Sequence, residues 1–107
     1  MEVIRTLEEL KQTIEENPMA ILYFGGETCG ACAVIQKKVE EILVSYPKIV
    51  AKEIKAEEQL ELAAQFGVFS VPVLQLYIEG KEILRVGRNV NLRELEEKIN
   101  RYYAMIF

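Results

Sequence analysis

The sequence predicts an α/β protein: a three-layer α/β/α sandwich around a central mixed sheet. Three observations carry this expectation. Apolar runs of strand length alternate with stretches of helical periodicity, in the order β-α-β-α-β-α-β-β-α. Most boundaries carry a cap, a proline or a glycine. The 107 residues, half of them hydrophobic, can bury a core without metal or disulfide staples. A single domain over residues 1–107 is expected, with no linker, repeat or low-complexity segment.

Val3 and Ile4 make a short apolar start. Thr6 with Glu9 three residues on is a capping box, and Leu7, Leu10 and Ile14 repeat at helical spacing until Asn17-Pro18. Met19 to Phe24 is continuously apolar and runs into Gly25-Gly26, as a strand covered on both faces does. From Gly30 a second helix buries Cys32, Ile35, Val39, Ile42, Leu43 and Tyr46 along one stripe, with Pro47 as its stop. Ile49 to Ala56 reads as a strand. Glu57 to Phe66 reads as a helix with Leu60, Ala63 and Ala64 inward and Gly67 as its cap. Val71 to Ile78, a tight turn at Glu79-Gly80-Lys81 and Glu82 to Val86 form a hairpin that closes a mostly parallel sheet with an antiparallel edge. Asn91 and Glu94 repeat the capping pattern before a last helix on Leu92, Leu95, Ile99 and Tyr102. The terminal Tyr103, Ile106 and Phe107 are expected to dock on the core rather than to form a self-association patch, and a monomer is expected.

Composition removes several functions. A net charge of -4, from 17 acidic and 13 basic residues, offers no field for a phosphate backbone, so nucleic acid is not an expected partner. Charges interrupt every apolar run, so no membrane span is expected. The first residues lack the basic-then-apolar pattern of a secretory leader, which points to a cytoplasmic protein. There is no histidine, hence no Cys-His or Ser-His-Asp machinery.

The two cysteines, Cys29 and Cys32, are the chemically informative residues. So small a loop makes a poor staple. Cys29 follows a strand and two glycines and opens a helix, where unpaired backbone N–H groups favour the thiolate. Residues three apart on a helix share a face, so Cys32 can bridge to Cys29 with little backbone movement. Cys29, at the exposed end, is expected to attack a partner disulfide. Cys32, one turn in on the apolar stripe, is expected to resolve the mixed disulfide. No bound cofactor is needed, because the Cys29–Cys32 pair itself stores the electrons. A metal site would need about four ligands, and the chain supplies neither histidine nor further cysteine. The competing reading is an inert pair of small buried hydrophobes.

Phe24, Cys29-Gly30-Ala31-Cys32, Phe66-Gly67-Val68-Phe69-Ser70-Val71-Pro72, Gly80 and Gly87 together resemble the thioredoxin family, in order and over nearly the whole chain. The resemblance implies the thioredoxin fold and a cis peptide bond before Pro72, which would lie against the cysteine pair. The alternative is a plain strand-entry proline. The free backbone of Val71 would then pair with an extended substrate segment, and Thr28, Gly30, Ala31 and Gly87 would border it. For most of the glycines, an ordinary turn or cap role competes with this one. Disulfide-containing proteins as substrates and a separate thioredoxin-reductase-like electron donor are the implied partners.

Departures from the family pattern surround the same sulfurs. Thr28 stands where tryptophan is usual, and Ala31 where proline is usual, so the redox potential cannot be carried over. Tyr23 holds the position of the family's buried aspartate and Glu53 that of its lysine partner. A one-residue slip would bring Lys52 there, but would turn Ile54 outward. Tyr23 and Glu53 are the candidates for proton transfer at the pair; Glu53 is either a group beneath the cysteines that moves the proton of Cys32, its carboxyl pKa raised by burial, or a solvent-facing strand residue. The leading functional expectation is a reductase of protein disulfides. An oxidase or isomerase would need an oxidising compartment, and a binding module would keep the fold while the cysteines idle.

Overall fold

In a computed structural model describing residues 1–107, the elements follow the expected order: β1 (Glu2–Val3), α1 (Leu7–Glu16), β2 (Met19–Gly25), α2 (Gly30–Leu43), β3 (Val50–Lys55), α3 (Leu60–Gln65), β4 (Val73–Ile78), β5 (Lys81–Val86) and α4 (Leu92–Ile106). The five strands form one sheet in the spatial order β1-β3-β2-β4-β5.

Strand β2 organises the protein. All seven of its residues are buried, because each face meets a helical layer. Ala20, Leu22 and Phe24 pack with Leu10 and Ile14 of α1 and Leu62 and Ala63 of α3. Met19, Ile21 and Tyr23 point the other way, towards Val39 of α2 and Leu95 and Ile99 of α4. Period-two alternation on a strand covered on both sides thus separates two apolar clusters, one per layer.

The caps form where the sequence placed them. The Thr6 hydroxyl accepts from Glu9 N–H at 3.1 Å and the Asn91 side chain from Glu94 N–H at 3.0 Å, each supplying an acceptor to an orphan first-turn donor. The hairpin turns at Glu79 and Gly80, both with positive φ (51° and 81°), the primed geometry that matches strand twist. At the C-terminus Tyr103 stacks edge-on against Tyr46, with ring centroids 5.1 Å apart.

Three expectations are corrected. The antiparallel hairpin is not merely an edge: β4 pairs antiparallel with the central β2, Tyr23 opposite Leu74, and only β5 lies outside it. Helix α2 stops at Leu43 rather than at Pro47; Ser45 and Tyr46 turn back onto Ile42 and Leu43 with i to i−3 hydrogen bonds, since residues ahead of proline avoid the α conformation. Helix α3 begins at Leu60 instead of Glu57. Its inward residues are Leu62 and Ala63, while Leu60 and Ala64 face outward. The shift arises because Ala56 N–H still bonds the Gly25 carbonyl at 2.9 Å, holding the chain on the sheet one residue longer.

Candidate active site

Strand β2 delivers the chain through Gly25 and Gly26 to Cys29, the N-cap of the 14-residue α2. Cys29 Sγ accepts the Cys32 backbone N–H at 3.2 Å. The sulfur therefore sits in the field of the helix N-terminus, against a donor that strengthens as the sulfur gains negative charge. Cys29 and Cys32 are joined as a disulfide, with Cα atoms 5.3 Å apart. Cys29 is half-buried and Cys32 buried, so an approaching group meets Cys29 first.

The chain between α3 and β4 forms the other side. The Val71–Pro72 peptide bond is cis, as the resemblance implies. The Val71 carbonyl oxygen lies 3.9 Å from Cys29 Sγ, and Val71 itself stands outside the ladder and makes no backbone hydrogen bond. A strand edge one residue long is therefore free beside the sulfur. Pro72 is buried, and Gly87 abuts it: a Cβ on Gly87 would stand 3.5 Å from the Pro72 carbonyl oxygen. Thr28, Gly30 and Ala31 lie on the turn and first helical residues around Cys29, with Thr28 and Gly30 exposed.

Beneath the pair, Tyr23 is fully buried and its hydroxyl donates to the Cys32 carbonyl at 2.7 Å. Burial, then the charge of Glu53, pushes its phenol up to about 12, so Tyr23 is a neutral donor at physiological pH. Tyr23 and Glu53 are register partners on β2 and β3, with Ile54 opposite Phe24; the unslipped alignment is the one that forms, and Ile54 is buried. Glu53 accepts a 3.1 Å hydrogen bond from the Gln36 side chain. It lines a cavity of about 200 Å³ with Cys29, Cys32, Gln36 and Lys55. Glu53 is half-buried, neither enclosed nor fully turned to solvent, and the side chain that meets it from α2 is the polar Gln36.

Sequence reasoning missed Glu57. Its carboxylate accepts from both the hydroxyl and the backbone N–H of Thr28, the residue before Cys29, and those bonds hold its pKa below the usual carboxylate value. Gly26 makes room for it: a Cβ there would run into the Glu57 carboxyl group. The available signal was the parallel pairing of β2 and β3. Gly25 opposes Lys55, so the residues that follow each strand emerge side by side at the same end of the sheet.

A half-exposed sulfur at a helix start, a buried partner one turn along and a free strand edge beside them can carry out two-electron thiol–disulfide exchange. No group of three or more His, Cys, Asp or Glu side chains is gathered as metal ligands would be, and no helix is long and apolar enough to cross a membrane.

Comparison with known proteins agrees with this geometry. The family model described as Thioredoxin matches residues 2–101. A thioredoxin-like protein of Bacillus subtilis is 31% identical over 102 residues, covering 95% of this chain and 91% of the relative. Among solved structures, thioredoxin of Fasciola hepatica superposes with a TM-score of 0.82 at 28% identity, over 94% of this chain and 98% of that one. Thioredoxin of Plasmodium falciparum superposes with a TM-score of 0.83 at 24% identity, over 95% and 99%; at that identity the likeness speaks for the fold.

Proposed function

The chain belongs to the thioredoxin family and is a thiol–disulfide oxidoreductase, and on that premise we propose that it reduces protein disulfides, with Cys29 as nucleophile and Cys32 as resolving thiol. The supporting observation is the setting of Cys29 Sγ, which accepts a helix N-terminal N–H and lies 3.9 Å from the Val71 carbonyl.

The cycle starts from the dithiol form. Cys29 thiolate attacks one sulfur of the substrate disulfide; that S–S bond breaks, one substrate thiolate leaves, and a mixed disulfide to Cys29 forms. Cys32, once deprotonated, attacks Cys29 Sγ, which breaks the mixed disulfide and releases the second substrate thiolate. Two electrons have passed to the substrate, the departing thiolates take up two protons, and the chain is left with the Cys29–Cys32 disulfide. An extended substrate segment pairs with the free Val71 backbone beside Pro72, bordered by Thr28, Gly30, Ala31 and Gly87, so main-chain geometry dominates recognition. Glu53 takes the Cys32 proton through the cavity they share, while Tyr23 holds the Cys32 carbonyl.

Residues 1–107 act in this reading as one domain and as a monomer in a reducing cytoplasm. A separate thioredoxin-reductase-like dithiol donor restores the reduced pair, linking the protein to electron transport and redox homeostasis; no bound cofactor, nucleic acid or membrane takes part. Insulin reduction driven by dithiothreitol tests the proposal. Acceleration by the wild type, loss in Cys29→Ser, and a trapped mixed disulfide in Cys32→Ser are expected. Undiminished turnover by Cys29→Ser would overturn the assignment.

A further inference from the structure

Gln36 lies one helical turn beyond Cys32 on α2, so the two side chains share a face of the helix. Its side-chain amide donates to Glu53 Oε1 at 3.1 Å, the only hydrogen bond that carboxylate makes, and its backbone N–H approaches the Tyr23 hydroxyl. One residue therefore touches both groups that stand beneath the cysteine pair. The other polar side chains nearby are engaged elsewhere. Tyr23 donates to the Cys32 carbonyl, and Lys55, two residues along β3 from Glu53, pairs with the exposed Glu27 at 4.0 Å.

We propose that Gln36 is a positioning residue for the resolving step: it holds the Glu53 carboxylate in the cavity shared with Cys32, so that attack of Cys32 on the mixed disulfide depends on a side chain that exchanges no proton itself. The role rests on the proton route proposed above for Glu53 and supplies the residue that sets its geometry. A glutamate side chain has several rotatable bonds, and Glu53, half-buried along a cavity of about 200 Å³, loses rotamer freedom by staying there. The Gln36 amide opposes its escape into water, and does so from the helix that carries Cys32. Base and thiol are thereby tied to one rigid element. Donation to Oε1 leaves Oε2 to accept the Cys32 proton, since a carboxylate offers acceptor positions on both oxygens. The competing role for the same contact is a plain brace between α2 and β3, which would serve both thiols alike.

Single-turnover reduction of dithiobis(nitrobenzoate) by the reduced full chain separates the two steps, because a coloured thiolate is released once when Cys29 attacks and once when Cys32 resolves. Gln36→Met keeps the reach and helix propensity of the side chain and removes the donor. Its second release is expected to slow about 10-fold, the scale of a misplaced catalytic group, while the first stays at the wild-type rate. Added to Glu53→Gln, Gln36→Met is expected to change neither release further, as two residues acting through one interaction do. A wild-type second release in Gln36→Met, with Glu53→Gln slow, overturns the positioning role and leaves Glu53 as the proton acceptor. Equal slowing of both releases by Gln36→Met, or undiminished slowing in the Glu53→Gln background, assigns Gln36 to bracing and also overturns it. A wild-type second release in Glu53→Gln removes the proton route itself, and this role with it.

Discussion

The hydroxyl of Tyr23, on the central strand, donates a 2.7 Å hydrogen bond to the main-chain carbonyl of Cys32, the buried member of the redox pair. The contact fixes the first turn of α2 from below and places a neutral hydroxyl, not an ionised group, on that carbonyl.

Tyr23→Phe removes that bond with almost no change in volume, and a cost of roughly 1 kcal/mol in urea unfolding is expected. The alkaline limb separates this role from simple packing. The Tyr23 phenol is raised to about 12 in the fold from 10.0. The native state therefore holds the proton more tightly than the unfolded chain, and the associated stability is whole below pH 10 and drains away as pH climbs through 12. Tyr77, also raised to about 12 chiefly by burial, contributes a second such loss in both proteins. The urea midpoint of Tyr23→Phe should consequently fall less between pH 10 and 12 than that of the wild type; parallel curves would show that Tyr23 does not titrate as its burial requires.

Glu53→Gln tests the route for the Cys32 proton. Glutamine keeps the shape and can still meet the Gln36 side chain, but cannot accept a proton. Resolution of the mixed disulfide is expected to slow by about 10²-fold at neutral pH, in the lower range for loss of a general base, with attack by Cys29 little changed. A pH profile of single-turnover reduction identical to the wild type would return Glu53 to the status of a strand residue that happens to border the cavity.

How far these relationships were legible in the sequence depends on their range along the chain. Thr6 with Glu9, Asn91 with Glu94 and Cys29 with Cys32 are contacts three residues apart, governed by helix geometry, and they form as read. The face assignment of β3 was also legible, since the burial of Ile54 forces Glu53 beside Tyr23. The direction of β4 was not, because a buried strand presents the same apolar run whichever way it points. Nor was the start of α3: Glu57, Glu58 and Gln59 are good helix formers by propensity, yet the bond that Ala56 N–H donates to the Gly25 carbonyl and the bond that Glu57 accepts from the Thr28 hydroxyl draw them off the helix. Tertiary hydrogen bonds outweigh a propensity difference of a few tenths of a kcal/mol per residue.

Glu57 and Gly26 should behave as one unit. Glu57→Ala frees Thr28, and Gly26→Ala displaces the same carboxylate, so each is expected to lower kcat/KM for insulin reduction a few-fold. The double variant should be no worse than either single one, which is the signature of a shared interaction; additive losses would show that they act separately. Removing the negative charge in Glu57→Gln should lower the Cys29 thiol pKa, read from ultraviolet thiolate absorbance. The pKa of Glu57 is depressed in the fold, so its contribution to stability is present above the ordinary carboxylate value of 4.5 and is lost as pH falls through the lowered value. Wild type and Glu57→Gln should therefore converge in stability only on the acid limb.

Arg85 acts on the segment between α3 and β4 that leads to Val71. Its guanidinium donates to the carbonyls of Gly67 and Phe66, both at 2.9 Å, while Glu82 holds it from the flank at 2.8 Å. The Phe66 carbonyl also accepts from the Gln75 side chain at 3.1 Å. Strands β4 and β5 thereby clamp the end of α3 only four residues before Val71. Arg85→Gln returns most of these acceptors to water rather than stranding them, so stability should drop by only about 1 kcal/mol. The larger effect is expected in presentation of the Val71 edge: faster amide exchange at Val68, whose N–H bonds the Ala63 carbonyl at 2.9 Å, a raised KM for disulfide substrates and a nearly constant kcat. Lysine at this position should recover only part of the effect, because one ammonium lacks the planar fork that spans both carbonyls. A stability loss without any change in exchange at Val68 or in KM would limit Arg85 to bracing the hairpin.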